Sequence, residues 1–563
     1  MLWEALTSTG DLGRMHQIAK ILIKFGFGDV VRRLGIGSLL EKSQRLLPSE
    51  STRQFIELSP PERVRRALEE LGPTFIKLGQ ILATRRDLFG PEWIEEFEKL
   101  QDEVPPVPFS EVEAQIRIAL DGRGLREVFA WVEETPLAAA SIAQVHAAEL
   151  LDGTSVVVKV RRPGIRKVVE SDLRLLKHFV KLLEFEFPEL RRYHLPQVVR
   201  QFTLSLRREL DLATEGRQAE RIAGILADDE RIVIPKIYWE CTSERINVQS
   251  RIEGISGRHL EEARQAGLDL KQIAKTGAEA VLKMVLEAGY FHADPHPGNV
   301  FFLPGNRLAL IDFGMIGRLT DERREQVIDL LLAVVTQDAQ GFTEILLEWS
   351  TPETLHHEVL VAEVDLFLSQ YGGVPLKQLD FSRLIGDFMT LLRDHELVLP
   401  PDLALLSKTF ITLDGLGRAL DPDFVMVEEI RPFVERLTTE RYLPKNLAKR
   451  GAKSFKQAIS VLFNLPKDLQ QFIRGLRKGY LGIHIEINHL ERFERRLNAI
   501  ANRLSMATVI SALIIGSSIV MTVPSGPEGL TLFGLPAFGV LGFIAAVLGG
   551  VWLLFSIWAS SKK

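Results

Sequence analysis

Three oxygen-bearing side chains, Asp294, Asn299 and Asp312, fall within one short stretch: His292-Ala-Asp-Pro-His-Pro-Gly-Asn299, the apolar run Leu308-Ala-Leu-Ile, and Asp312-Phe-Gly314. A carboxylate and an amide oxygen are hard ligands of the kind Mg²⁺ takes in near-octahedral geometry, with nucleotide phosphates completing the shell. A second carboxylate nearby could orient or deprotonate a hydroxyl acceptor. The pattern points to nucleotide-dependent phosphoryl transfer, with ATP and Mg²⁺ as the expected cofactors. Asp294 is the expected acceptor-orienting group, Asn299 and Asp312 the expected metal ligands. Either half alone also suits residues that merely cap turns; the two in order around a strand-like run make that reading the weaker one.

In protein kinases the pattern H-R-D-x-x-x-x-N and a following D-F-G play these parts. Such a site needs a β-rich small lobe upstream, with a phosphate-covering loop and a lysine on the third strand. Val156-Val-Val-Lys159-Val160 is a short β-branched strand with one lysine, and a lysine in such a run is costly unless it meets an anion. Lys159 is therefore the expected phosphate-binding lysine. Upstream, Ala138-Ala139-Ala140-Ser141-Ile142-Ala143-Gln144-Val145 lies over the kinase glycine-rich template with alanine at every glycine. A Cβ keeps the backbone farther from phosphate oxygens and disfavours positive φ, so the nucleotide is expected to be held differently there. By itself the same segment also reads as an alanine-rich helix start.

With these elements in order, the chain resembles the UbiB family of atypical kinases, the kinase-like proteins of quinone biosynthesis. The alanine-rich loop is one mark of that family. A K-x-G-Q motif is another, present as Phe75-Ile-Lys77-Leu-Gly79-Gln80, and an E-x-D element stands at Glu209-Leu-Asp211, with Glu215 beyond it. The resemblance implies that Glu215 pairs with Lys159 and that Glu209 contacts Lys77. It also implies that Lys77, Gly79, Gln80, Glu209 and Asp211 form a regulatory element over the site. The implied fold is α+β, a two-lobed protein-kinase-like body with an N-terminal helical extension. The implied role is support of ubiquinone or another isoprenoid-quinone pathway, with quinone-precursor lipid and quinone-biosynthesis proteins as candidate partners.

The chain departs from ordinary protein kinases in informative ways. Ala293 replaces the arginine that would bind an activation-loop phosphate, so that pairing is chemically impossible. His296 stands where protein kinases usually carry a lysine that neutralises the transferring phosphoryl group. After Gly314 the chain runs through Met-Ile-Gly-Arg-Leu-Thr into a helical pattern from Asp321, with no A-P-E motif and little room for a peptide platform. Val157, where an alanine is common, narrows the expected adenine pocket. Ser250 and Arg251 alter the expected hinge.

A chain of 563 residues has room for a two-lobed core and accessory regions, and a net charge of −5 gives no bulk electrostatic case for nucleic acid. The single Cys241 makes neither an internal disulfide nor a zinc site, and Met1–Gly10 lacks a signal-peptide core. Leu504–Pro527 and Gly529–Ser561 carry no charge. About 20 apolar residues span a bilayer as a helix, so Leu504–Val523 and Ala537–Trp558 are expected to form a transmembrane helical hairpin. Arg495, Arg496, Arg503, Lys562 and Lys563 flank it, and Glu528 alone lies between the spans. By the positive-inside rule both ends face the cytoplasm. This predicts a multi-pass protein of the cell membrane, the inner membrane in a bacterium, with its kinase-like body cytoplasmic.

From Arg441 to Lys478 ten basic residues meet one acid, interleaved with apolar side chains. Such a segment can rest on anionic membrane lipid, each cation contributing on the order of 1 kcal/mol, or it can be a solvated helix face. Residues 1–135 are read as the helical extension, 136–255 as the small lobe with an insertion near Asp172–Arg192, and 256–480 as the α-rich large lobe. Residues 481–503 are read as juxtamembrane, with strand-like alternation in Gly482–Asn488, and 504–561 as the two spans. Three functions fit: an ATPase or small-molecule or lipid kinase, a nucleotide-gated lipid-binding pseudokinase scaffold, and, less well, a conventional protein kinase. Retention of Lys159, Asp294, Asn299 and Asp312 favours the first, because a scaffold has no chemical need for all four.

Overall fold

Alternation in the lysine strand Ser155–Arg161 decides what each face of the small lobe does. Val156, Val158 and Val160 turn into a core with Phe129, Ile246 and Val248, closed by Val112 and Ile116 of the helix Phe109–Ala119. Val157 and Lys159 thereby face the other way, toward the cleft. The antiparallel sheet runs Phe129–Val132, Ala143–Leu150, Ser155–Arg161, Ile246–Ser250, with Ala138–Ala139 also paired to the second of these. Its first strand precedes residue 136.

The computed structural model describes residues 9–33, 58–100, 104–188, 190, 195–349, 357–371, 380–441, 506–520, 522, 531–532 and 535–560. These fall in two units, Met1–Leu447 and Ala448–Lys563. The basic stretch beyond Arg441 and the strand-like Gly482–Asn488 lie outside the described residues.

The N-terminal extension is helical and packs on the insertion, itself the helices Ile165–Glu186 and Leu195–Glu209. Met15, Ala19 and Val31 of the first two helices, Thr9–Lys24 and Gly28–Arg33, bury against Leu175, which supplies the partner their amphipathic pattern requires. Asp172, fully buried, is held by Arg14 at 2.6 Å and by the Thr74 hydroxyl at 2.6 Å. Gly72, with φ +96°, ends the helix Pro60–Leu71, and Pro73 opens the K-x-G-Q helix Pro73–Leu82. Inside the latter, a Cβ on Gly79 would come within 2.1 Å of Leu100, so the motif's glycine lets helix and loop pack closely.

A buried contact ties this extension to the large lobe. Arg85 donates to both oxygens of Asp87, at 2.9 and 2.7 Å, and Asp87 also accepts the Leu399 N–H at 3.0 Å, just before the helix Pro401–Leu420. Both side chains of the ion pair are buried, 5% and 0% exposed. Removing one charge from such a pair leaves the other uncompensated, at a cost of about 3–5 kcal/mol. Asp87→Asn is therefore expected to lower the urea midpoint by that equivalent; a midpoint equal to the parent's would show that Arg85 finds another anion or water.

In the large lobe, helix Leu270–Leu282 is capped by Asp269 and buries Ile273, Ala278 and Leu282 in a core shared with Phe291, Phe302 and Phe313. Two ribbons grow from this core. Val300–Leu303 pairs with Arg307–Leu310, and Tyr290–His292 pairs with Ile316–Arg318. The helical pattern after the D-F-G segment becomes Asp321–Thr336, capped by Thr320.

The second unit contains a helix over 506–520 and the helix Ala537–Ser560. The position of a Cβ on Gly542 lies 3.3 Å from Ser517, and one on Gly549 lies 3.4 Å from Ile510, so the helices run antiparallel. Ser517 and Ala546 are buried between them, while Val509, Ile515, Ile519, Leu548 and Trp552 point outward and are exposed. Among the described residues no helix is long and apolar enough to cross a membrane. The charge-free Ala537–Ser560 has 24 residues, but only its side chains at 540–550 and 552 are described.

Candidate phosphoryl-transfer site

The two ribbons bring the sequence's scattered oxygens together. Asn299 directly precedes one arm of the first ribbon and Asp312 follows the other, with the Ile311 N–H donating to Asn299 O at 3.1 Å. Asp294 follows Tyr290–His292, and Gly314 stands just before Ile316–Arg318; the Ala293 N–H donates to Met315 O at 3.0 Å. His292 is buried, accepts the Asp294 N–H at 3.1 Å, and meets the Phe313 ring edge-on at 5.4 Å. Burial holds this imidazole below its usual pKa, against the nearby Asp312 and Asp294 carboxylates.

Lys159 reaches down from the sheet to Glu215 at 2.8 Å and to Asp312 at 3.6 Å. Burial would strip its proton, but the Asp312 and Glu215 carboxylates outweigh that and push its pKa up, so it stays cationic. Glu215 is buried and moves up for the same first reason, desolvation, with Lys159 pulling the other way. Asp312 is opposed by desolvation yet moves well below the usual carboxylate range, held by Lys159 and by the Gly314 N–H, which donates to it at 2.9 Å. Its side chain is 45% exposed, so one face is open to the cleft.

Asn299 donates its amide N–H to Asp294 O at 3.1 Å, which leaves the amide oxygen out of that bond. Among the described residues no group of three or more His, Cys, Asp or Glu could hold a metal alone. A carboxylate and an amide oxygen in the cleft suit Mg²⁺, which dehydrates reluctantly and takes one or two protein oxygens together with phosphates. The residues present therefore fit a nucleotide-bound cation better than a protein-caged one.

The alanine-rich segment is a strand, a turn and a strand rather than a helix start. Among the described residues none in 138–145 takes a positive φ. Arg162 fastens the turn: its side chain donates to Ala140 O at 2.7 Å and to Pro105 O at 2.9 Å, and its N–H to Ile142 O at 2.8 Å. Gln144 accepts the Val107 N–H, so the 104–107 segment braces the loop from outside. Ser141 is fully buried, and Ala143 begins the strand that carries Val145 opposite Lys159. Ala140→Gly is expected to relax the turn and let the backbone approach phosphate, changing ATP affinity relative to ADP by at least about threefold. Identical affinities in mutant and parent, measured by calorimetry, would mean that the loop does not cover the phosphates.

Lys77 lies 2.7 Å from Glu209, and Gln80 donates to Leu100 O at 3.2 Å. Glu209 in turn lies beside the D-F-G segment, its Cγ 4.0 Å from where a Cβ on Gly314 would stand, so the K-x-G-Q helix lies close to the site. Asp211 is elsewhere engaged. It caps the helix Leu212–Ile225, accepting from Ala213 N at 3.1 Å and Thr214 N at 3.3 Å, and so sets the helix that presents Glu215.

Sequence reasoning gave no role to Arg162, to the Arg85–Asp87 pair, or to Lys408, whose ammonium lies 3.0 Å from Asp294. A signal for the last was present: a lone lysine in the apolar helical run Leu403-Ala-Leu-Leu-Ser-Lys-Thr-Phe-Ile.

Known proteins resemble this chain in three segments and over most of its length. Residues 99–346 match the model of the ABC1 atypical kinase-like domain, 364–425 the UbiB helical domain, and 488–559 the ABC1/UbiB kinase-like C-terminal domain. A "Probable protein kinase UbiB" of Cellvibrio japonicus is 32% identical over 516 residues, 88% of this chain and 92% of that one. Its Marinobacter nauticus namesake is 36% identical over 399 residues, 70% and 73% of the two chains. A Clostridium pasteurianum protein encoded in the 5′ region of hydrogenase 1 is 29% identical over 549 residues, 97% and 98%. A solved Mycobacterium tuberculosis protein in complex with erythromycin aligns with TM-score 0.44 at 24% identity over 69% of this chain and 94% of its own. Three family domains in order, and a relative 32% identical across most of both chains, establish that this chain belongs to the ABC1/UbiB family of atypical kinase-like proteins.

Proposed function

We propose that this chain is a membrane-anchored, Mg-ATP-dependent phosphotransferase or ATPase that acts on or with a lipid or small molecule in support of isoprenoid-quinone synthesis. The observation that carries the chemistry is the convergence on Asp312: a half-exposed, ionised carboxylate, 3.6 Å from a lysine that is itself braced by Glu215. When bound, Mg²⁺ would neutralise phosphate charge. Lys159 would bind phosphate oxygens, Asn299 and Asp312 would hold the cation, and Asp294 would orient a hydroxyl and accept its proton. Water or an alcohol of a small or lipid molecule is the acceptor that suits this site. The K-x-G-Q helix beside Met315, the residue after the D-F-G glycine, leaves a peptide acceptor poorly served and speaks against a conventional protein kinase. The quinone pathway is an inference from family membership.

The anchor is the C-terminal hairpin. Small residues between its helices and large apolar ones outside are the arrangement expected in lipid, where close packing rather than water exclusion joins helices. The test is phosphate release from Mg-ATP by the full chain in vesicles, with and without quinone-precursor lipid, against Asp294→Asn. Release by the parent that the substitution leaves unchanged, or no release under any condition, overturns the enzymatic reading and leaves the nucleotide-gated scaffold.

A further inference from the structure

Asp294 has a cationic neighbour that no motif announces. Lys408 projects from the large-lobe helix Pro401–Leu420 to within 3.0 Å of Asp294 Oδ1, and the two side chains are 29% and 33% exposed. A pair buried for structural reasons would be drier. This one sits at the cleft surface, where a ligand could reach it.

The helix is also locked in register with the catalytic loop. Thr409, fully buried, points its hydroxyl between Leu405 O at 3.0 Å and Ala293 O at 3.2 Å, so the residue beside Lys408 touches the residue beside Asp294. Upstream, the Leu399 N–H is held by Asp87 at 3.0 Å. Lys408 is thus delivered to a fixed place.

His296, the residue standing where protein kinases usually have their phosphoryl-neutralising lysine, is otherwise occupied. Its Nδ1 accepts the Gly298 N–H at 3.2 Å and its carbonyl the Asn299 N–H at 2.7 Å, so the side chain is turned back to cap the loop that carries Asn299. A site that moves a phosphoryl group would then lack the usual cation at this point unless another element supplies it.

We propose that Lys408 is a catalytic lysine, contacting the transferring phosphoryl group beside Asp294 and supplying from the large-lobe helix the cation that the catalytic loop itself does not carry. The inference rests on the phosphoryl-transfer reading above. In the step, the hydroxyl oxygen of water or an alcohol forms a bond to the γ-phosphorus while the bridging P–O bond breaks, its electron pair leaving on ADP. The hydroxyl proton passes to Asp294. The Lys408 side chain donates to a non-bridging oxygen whose charge grows as the bonds exchange, so its effect belongs to the transition state.

The experiment uses the full chain in vesicles and compares the parent with Lys408→Gln and Lys408→Arg, each checked by thermal unfolding. Mg-ADP alone and Mg-ADP with aluminium fluoride, a mimic of the transferring phosphoryl group, are titrated by calorimetry. Lys408→Gln is expected to bind Mg-ADP within about threefold of the parent, to bind the aluminium fluoride complex at least about tenfold more weakly, and to lose about 100-fold in kcat with little change in KM. Lys408→Arg should recover part of each loss. Parental affinity of Lys408→Gln for the mimic overturns the proposal, and so does an equal loss for Mg-ADP and mimic, which would make Lys408 a merely structural partner of Asp294. A glutamine variant that unfolds leaves the decision to the arginine variant, whose mimic affinity must lie between that of the parent and that of Mg-ADP alone. A parent that neither releases phosphate nor tightens on ADP with aluminium fluoride sinks the phosphoryl-transfer reading itself; a competent parent with an indifferent variant sinks only Lys408.

Discussion

Asp312→Asn is expected to weaken Mg²⁺-dependent nucleotide binding by at least about 100-fold, because even groups one shell further from a metal cost about 10–100-fold when removed. The substitution keeps the shape and keeps an oxygen to accept the Gly314 N–H, now 2.9 Å from Asp312. It takes away the charge that faces the cation. Lys159 retains Glu215 at 2.8 Å, so the small lobe keeps its internal ion pair. Asp312 is 45% exposed, and attraction between it and Lys159 is weakened by solvent, so the folded protein should lose little. The sign with pH follows. A carboxylate held below its unfolded pKa stabilises the fold above about pH 3.8 and loses that contribution only as acid reaches its folded pKa, so near neutrality parent and variant differ by the whole of this small term. Thermal-shift titration with Mg-ATP, repeated with EDTA, separates the two effects. A variant with parental Mg-ATP affinity would refute Asp312 as a metal ligand.

Much of this site was readable because it is local. The Asn299-to-Asp312 segment is one β-hairpin whose ends must meet, so spacing in sequence translates directly into neighbouring side chains. Lys159 was readable for a different reason: a lone lysine in a β-branched run is costly unless it meets an anion, and the strand's alternation turns it away from the core valines toward Glu215 and Asp312. Its pairing with Glu215 and that of Lys77 with Glu209 came from family pattern, not from periodicity. The alanine loop could be read either as a turn or as a helix start until strand pairing decided, since alanine suits both.

What stayed hidden depends on helices placed by distant packing. Lys408 is far along the chain from Asp294, and the contacts of Thr409 with Ala293 and of Leu399 with Asp87 fix which turn of its helix faces the cleft. The Arg85–Asp87 pair carries no local signal of its partner, because Asp87 accepts the backbone N–H of Leu399, far along the chain in the large lobe. Asp211 shows the reverse case. A motif aspartate expected in the regulatory element also caps a helix, so it bears on Glu215 through the angle of the helix it starts.

If the C-terminal hairpin is the anchor proposed above, a chain ending near Asn502 should lose integral membrane anchorage and keep its Mg-ATP site. The reason lies in how the helices over 506–520 and Ala537–Ser560 bury their atoms. A pair in water places large apolar side chains between the helices and polar ones outside. Here Gly542, Gly549, Ala546 and Ser517 lie between them, and Ile515, Ile519 and Leu548 are 61%, 59% and 65% exposed. In water such a surface would be a large apolar patch of the kind soluble monomers avoid. In hydrocarbon it costs nothing, and the close approach at glycine provides the packing. After truncation, the basic stretch 441–478 should leave a residual attachment to anionic vesicles that fades as salt is raised, since charge attraction is screened beyond about 8 Å at physiological ionic strength. Flotation with anionic vesicles at low and high salt, then alkaline extraction, reads both effects. If the truncated chain resists salt and alkali, the anchor lies elsewhere in the sequence; if it never floats with anionic vesicles, the basic stretch is only a solvated face. Should anionic lipid raise phosphate release by the truncated chain while leaving its Mg-ATP affinity unchanged, the surface contact acts on turnover as well as on location, as a body regulated at the membrane requires.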